Sequence, residues 1–161
     1  MRPGYGTRHP CIERLIARAA PLASERVSWP NGLELVNTAY AEPIDLISDD
    51  LVRSVRCITR VGDGIVVCDT PDGEHIMPGG RREPGETFIE TAVREVHEET
   101  GWHLIAGAVT YLGLWHIEFL NPEIGDPTLP RPDIVQVIQA GIATDRDVDP
   151  DAAWKDTQGW E

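Results

Sequence analysis

The segment from Gly79 to Trp102 constrains the fold most, because a glycine-rich loop leads directly into an acidic, helical pattern. Thr87 and Glu90 have the T-x-x-E spacing of a helix-capping box, and Gly101 supplies a stop signal. We therefore predict a helix between Thr87 and Gly101. Its apolar strip, which we expect to face the core, consists of Ile89, Ala92 or Val93, Val96 and Thr100.

Three glutamates, Glu95, Glu98 and Glu99, recur at i, i+3 and i+4, so their carboxylates share one face of this helix. One interpretation is a charged, solvated surface. The other is a cation site, because like charges at this spacing destabilise a helix and Arg94 neutralises only one of them, either Glu98 or a neighbour. Glycines before the helix let backbone groups approach a ligand, and Mg2+ prefers carboxylate oxygens.

The remaining patterns predict strands around this helix, with a helix and a hairpin before them. Residues 1–9 have the composition of a flexible tail, and 41–50 that of a linker. We predict a helix over 11–23, a hairpin over 27–40 that turns at Asn31-Gly32, strands over 51–61 and 65–69, a short strand within 74–80, one or two strands over 104–120, a loop over 121–132 and a strand over 134–143.

Charge and composition exclude several classes of function. The 161 residues are enough for one domain, and a net charge of −13 disfavours binding to nucleic acid or to an anionic membrane. The chain has no apolar run long enough to span a membrane, and its N-terminus lacks the features of a secretion signal. Three scattered cysteines favour free thiols in a reducing cytoplasm. The histidines lack H-x-x-x-H spacing, so we do not predict a zinc site.

A family resemblance rests on the spacing within this segment. Gly80, five residues, Glu86, seven residues and then Arg94 to Trp102 (REVHEETGW) meet every fixed position of the Nudix box, G-x5-E-x7-R-E-U-x-E-E-x-G-U, in which U is apolar. The last U is Trp102, which is bulkier than the usual aliphatic residue. The chain thus resembles the Nudix hydrolase superfamily over about residues 51–161, which leaves residues 1–50 as a helix-hairpin extension.

The resemblance implies a fold, a reaction and a set of roles. The fold would be an α/β/α sandwich with a mixed β-sheet. The reaction would be hydrolysis of the P–O–P bond in a nucleoside diphosphate linked to another group, with Mg2+ or Mn2+. The metal ligands and catalytic carboxylates would be Glu95, Glu98 and Glu99, joined as a ligand by the carbonyl of Gly80. Glu86 and Arg94 would form the salt bridge that holds the loop to the helix.

Several assignments stay open at this point. Arg56, Arg81 and Arg82 are candidates to bind the phosphate oxygens. Trp115, His116 and Phe119 either stack on a base or, as we favour, pack in the core. The base that accepts the proton of the attacking water is Glu95 or a downstream carboxylate among Glu118, Glu123, Asp126 and Asp133. Signatures of particular substrates are missing.

The alternative function is a nucleotide sensor that does not hydrolyse its ligand. Residues 1–50 are expected to cover the pocket, form a homodimer contact or pad the fold.

Overall fold

The structure is a computed structural model that describes residues 7–69, 75–124 and 128–147. The predicted α/β class is confirmed, since these residues form a mixed β-sheet and two α-helices. The chain divides into two compact units, one of residues 1–53 and 113–137 and one of residues 54–112 and 138–161. Whether residues 1–50 form an extension distinct from a 51–161 domain, and whether the layers form a sandwich, stay predictions.

The first unit contains helix α1 (Pro10–Arg18), strands β1 (Ala23–Ser28) and β2 (Glu34–Tyr40), strand β8 (Thr110–Phe119) from Gly113 onward and the first residues of β9 (Asp133–Arg146). Strand β2 pairs antiparallel with both β1 and β8. The predicted helix over 11–23 is too long, because Ala19 already has extended dihedral angles. The predicted linker contains two short 3-10 helices, Ile44–Leu46 and Asp49–Leu51.

The core of this unit explains why the N-terminal residues are apolar. One cluster of its buried apolar residues consists of Leu33, Leu35, Ile117, Phe119 and Ile134, and Ile12 and Leu15 of α1 are also buried. Ile16 and Trp29 are 42% and 41% exposed, so these two side chains lie outside the core. Arg8 pairs with Asp133 and Glu118, and His9 caps α1, so these two residues do not belong to a flexible tail.

The second unit contains strand β3 (Val52–Val61) from Ser54 onward, with β4 (Gly64–Val66), β5 (Cys68–Asp69), β6 (His75–Ile76), helix α2 (Phe88–Thr100), β7 (Trp102–Leu104) and the rest of β9. The strand predicted over 65–69 is divided, because β4 pairs with β3 whereas β5 pairs with β6. Within 104–120, the 3-10 helix Ala106–Ala108 and strand β8 follow β7, which ends at Leu104. Residues after Asp147 lie outside the described part.

The loop before α2 is tied to strand β3 by its backbone. The N–H groups of Val55 and Cys57 donate to the carbonyls of Gly80 and Pro78, at 3.0 and 2.9 Å. Gly79 has a φ of 144°, and a Cβ atom there would lie 2.2 Å from the Val55 carbonyl oxygen. This close approach requires glycine, and it fixes the position of the loop relative to the strand.

Helix α2 begins and ends where the sequence predicts. Thr87 and Glu90 form the capping box, and Gly101 ends the helix in a left-handed conformation with a φ of 72°. The buried residues are Thr91, Ala92, Glu95, Val96 and Thr100. The prediction that Ile89 faces the core is wrong, since it is 40% exposed and the buried strip begins in the following turn. No helix in the described ranges is long and apolar enough to span a membrane.

Candidate active site

The guanidinium of Arg94 joins the loop to the acidic face of α2. It donates from Nε and Nη2 to the two oxygens of Glu86, at 2.7 and 2.9 Å, and from Nη2 to the Arg81 carbonyl at 3.0 Å. This two-pronged contact, with Glu83 N–H and the Thr91 hydroxyl as further donors, holds the pKa of Glu86 at about 2. The residues predicted to form a salt bridge are therefore in direct contact.

Glu95 is the most enclosed of the three helix carboxylates, with 12% of its side chain exposed. One of its oxygens accepts from Arg94 Nη1 at 2.8 Å. A Cβ atom on Gly80 would lie 2.5 Å from the nearer oxygen of Glu95, so the absence of a side chain there leaves room for this carboxylate. Burial raises the pKa of Glu95, as do the charges of Glu99 and Glu98, whereas Arg94 opposes the shift.

Glu98 and Glu99 flank Glu95 in different environments. Glu98 is 57% exposed and lies 3.1 Å from Arg94 Nη1. Glu99 accepts a hydrogen bond from the Gly79 N–H at 2.8 Å, and the Cys68 thiol lies 3.5 Å from the same oxygen. Burial, followed by the charge of Glu99, raises the pKa of Cys68 to about 12, so this side chain stays a thiol. Glu99 thus contacts the glycine loop, whereas Glu95 and Glu98 share the guanidinium of Arg94.

The predicted phosphate-binding arginines have other contacts in the structure. Arg56 Nη1 donates to the carbonyls of Met77 and Gly79, at 3.1 and 2.6 Å, and so supports the glycine loop from β3. The guanidinium of Arg82 lies 5.1 Å from the centre of the Phe88 ring, and the backbone of Arg81 forms an isolated bridge with Ser54. A role in substrate binding stays a prediction for all three.

The downstream candidates belong to the first unit. Glu118 and Asp133 both pair with Arg8, and Asp133 is also 2.7 Å from His116 Nε2 in a buried contact. His116 and Phe119 are buried, as the core interpretation of these residues predicts. Glu123 is exposed, and Asp126 lies outside the described residues.

The donor set of the acidic face fits a hard divalent cation. Glu95 lies against Gly80, Glu99 accepts from the Gly79 N–H, and Glu98 shares Arg94 with Glu95. The donor atoms of these three side chains are all oxygen, as Mg2+ and Mn2+ prefer. Sequence reasoning missed three supports of this set: the Gly79 N–H, the Cys68 thiol and the loop contact of Arg56. Of these three, only the Gly79 contact lies in a segment that the local sequence pattern singles out. Cys68 and Arg56 lie on strands that are distant in sequence from the helix.

Comparison with known proteins decides the family. The model of the NUDIX domain matches residues 50–161. The chain belongs to the NUDIX family. It carries a NUDIX domain, so the predicted family is confirmed. The matched range starts next to the boundary that the resemblance implies.

Individual relatives are more distant. The chain is 34% identical over 56 residues to the uncharacterized Nudix hydrolase YvcI of Bacillus subtilis, a match that covers 34% of this chain and 35% of the relative. It is similar to the crystal structure of a mutant of the Bacillus subtilis pyrophosphohydrolase BsRppH, with a TM-score of 0.56 and 23% identity, over 80% of this chain and 71% of that chain. A NUDIX hydrolase from Nitrosomonas europaea matches with a TM-score of 0.47 and 22% identity, over 61% and 63% of the chains. The NUDIX domain and its fold are thus shared, whereas the alignment with YvcI spans about a third of that relative.

Proposed function

We propose that this chain hydrolyses a pyrophosphate bond in a nucleoside diphosphate linked to another group. The observation that carries the proposal is the placement of Glu95 and Glu99 against Gly80 and Gly79, with Glu98 joined to Glu95 through Arg94, within one compact unit. A solvated helix face does not require a buried carboxylate such as that of Glu95, whose side chain is 12% exposed. The relative named a pyrophosphohydrolase is consistent with this reaction.

The residues that would hold Mg2+ or Mn2+ are Glu95, Glu98, Glu99 and the carbonyl of Gly80. A bound divalent ion supplies charge neutralisation of the phosphates and acidification of a water molecule. We assign the proton of the attacking water to Glu95, which lies against the glycine loop and whose pKa is raised by burial. Arg94 holds Glu95 and Glu98 in place through Nη1.

The substrate contacts belong to the same proposal. Arg56, Arg81 and Arg82 lie on the strand and loop that border the carboxylates, where cationic groups would bind the non-bridging phosphate oxygens. Arg56 also holds the loop in place, since its Nη1 donates to two loop carbonyls. The proposal includes a small nucleotide-type substrate, a cytoplasmic location and a homodimer.

A substrate screen tests the proposal directly. The full chain is incubated with nucleoside triphosphates, nucleotide sugars and dinucleoside polyphosphates, with Mg2+ or Mn2+, and released phosphate is measured after phosphatase coupling. We expect turnover of at least one class that stops when the metal is chelated. Nucleotide binding by calorimetry without turnover of any class would instead support the sensor function, and neither binding nor turnover would contradict both.

A further inference from the structure

A second cluster of metal-ligating side chains lies at the C-terminal end of α2, within the second unit. It consists of His97 in the last turn of the helix, His103 in β7 and Asp147 directly after β9. The Nε2 atoms of His97 and His103 lie 2.8 Å from different oxygens of Asp147. The two imidazole rings stack with their centres 4.4 Å apart. Both histidines thus point the same nitrogen at one carboxylate.

Regular backbone structure fixes the positions of these groups. Gly101 ends α2 and lets β7 begin at the next residue, while β7 pairs antiparallel with β9, with His103 opposite Asp145. The N–H of Asp147 donates to the Gly101 carbonyl at 3.1 Å, which ties the end of β9 to the end of the helix. Side chains on a helix and on paired strands are placed more precisely than side chains on loops.

We propose that His97, His103 and Asp147 form a second metal site, one that takes Zn2+ or a divalent cation of similar softness. Two imidazole nitrogens and one carboxylate oxygen are a donor set for Zn2+ rather than for Mg2+. The candidate ligand atoms lie within 4.8 Å of one another, so small side-chain rotations suffice to surround an ion with bonds of about 2.0–2.2 Å. Three protein ligands leave a fourth position open for water or for another ligand.

The chemistry separates this site from the glutamate cluster on the same helix. The glutamates offer oxygen atoms, whereas this cluster offers mostly nitrogen. About 40% of each histidine side chain and 51% of the Asp147 side chain are exposed, so an ion can enter from solvent. Ion pairs between side chains this exposed contribute little to folding stability. Folding stability therefore does not explain why His97 and His103 both contact Asp147. Elsewhere in the described residues, His75 and Asp69 form a simple pair, 2.6 Å apart.

The test is a Zn2+ titration of the metal-free full chain in excess Mg2+, which competes for the glutamate cluster. We measure the heat of binding and the side-chain nitrogen signals of the histidines by NMR. We expect one equivalent of Zn2+ that shifts the signals of His97 and His103 but not those of His75. H103Q and D147N should weaken this equivalent about tenfold or more, and circular dichroism checks that both variants fold. The matched control H75Q, which changes a histidine in a simple His–Asp pair, should bind Zn2+ like the wild type.

Two results would overturn the inference. One is the absence of Zn2+-dependent shifts at His97 and His103 in the wild type, which would leave the cluster as a hydrogen-bonded clamp. The other is Zn2+ binding that survives in H103Q and D147N but disappears in Glu98→Gln, since the ion would then sit in the glutamate cluster. Because the readout is binding of Zn2+ and not turnover, the inference and the proposed hydrolase function fail independently.

Discussion

At the residue scale, the guanidinium of Arg94 allows like charges to stay close together. It contacts Glu86 with two nitrogens and reaches Glu95 and Glu98 with the third. A planar group with five donors suits this role, whereas lysine offers only a point charge. The repulsion on the helix face is therefore reduced on one side by Arg94, and on the side of Glu99 by the Gly79 N–H.

The contact between Glu86 and Arg94 predicts a dependence of stability on pH. The pKa of Glu86 is depressed from 4.5 to about 2, so its contribution is complete above 4.5 and is lost as the pH falls toward 2. We expect Glu86→Gln to lower the free energy of unfolding at pH 7 by up to ~3 kcal/mol, the equivalent of that shift. The deficit should shrink below pH 4.5. Urea unfolding of both proteins across this range measures it, and equal stabilities at pH 7 would contradict the account.

The close approach of Gly80 to Glu95 gives a second prediction at this scale. In Gly80→Ala the new Cβ would lie 2.5 Å from a Glu95 oxygen, so the carboxylate must move. Because a displacement of about 1 Å in a catalytic group can cost ~100-fold in rate, we expect at least a tenfold loss of turnover. The matched control is Gly107→Ala, since a Cβ there meets no atom within 4 Å. Unchanged turnover in Gly80→Ala would show that the position of Glu95 does not matter.

At the scale of elements, helix α2 depends on its capping box. The Thr87 hydroxyl accepts from the Glu90 N–H at 3.2 Å, and the Glu90 carboxylate accepts from the Thr87 N–H at 2.8 Å. We expect Thr87→Ala to reduce the free energy of unfolding by about 1 kcal/mol. The same substitution at exposed Thr110, at the start of β8, is the control. Thermal or urea unfolding measures both, and an equal loss in the two variants would argue against a specific cap.

The elements also show why some predictions from sequence succeed. The ends of α2 are encoded locally, by Thr87, Glu90 and Gly101, so the sequence alone locates the helix. The exposure of Ile89 cannot be predicted from the local sequence, because it depends on which other residues cover the first turn of the helix. The end of α1 lies earlier than its periodicity predicts, because the chain is already extended at Ala19 before β1 begins. Periodicity thus predicts the type of an element better than its bounds or its environment.

At the scale of the whole molecule, the N-terminal residues supply part of the apolar core of the first unit. We expect deletion of residues 1–45 to abolish cooperative unfolding or to cause aggregation, because it removes the strand that pairs with β8 and exposes Ile117 and Phe119. Circular dichroism melting and size-exclusion chromatography of the truncated chain measure this. A truncated chain that melts like the full one and keeps its oligomeric state would show that these residues are dispensable.

The carboxylates of the candidate site could be predicted from the sequence, whereas its supports and the second metal cluster could not. Glu95, Glu98 and Glu99 lie within one helix, so their spacing gives their relative positions. His97, by contrast, meets Asp147 across 50 residues, and His103 meets it across 44. Such contacts depend on the pairing of β7 with β9, which no local pattern specifies. Spacing rules for zinc sites therefore miss this cluster.

The measurement that tests the central claim most directly is the turnover of Glu98→Gln on a substrate identified by the screen, with saturating Mg2+. Loss of one electrostatic group of this kind typically costs about 100-fold or more, roughly 3 kcal/mol of transition-state stabilisation. We expect such a loss together with a metal-free stability within about 0.5 kcal/mol of the wild type, since Glu98 is 57% exposed. Glu25→Gln, at an exposed position in β1, should keep full turnover. Wild-type turnover in Glu98→Gln would contradict the account and favour a solvated helix face.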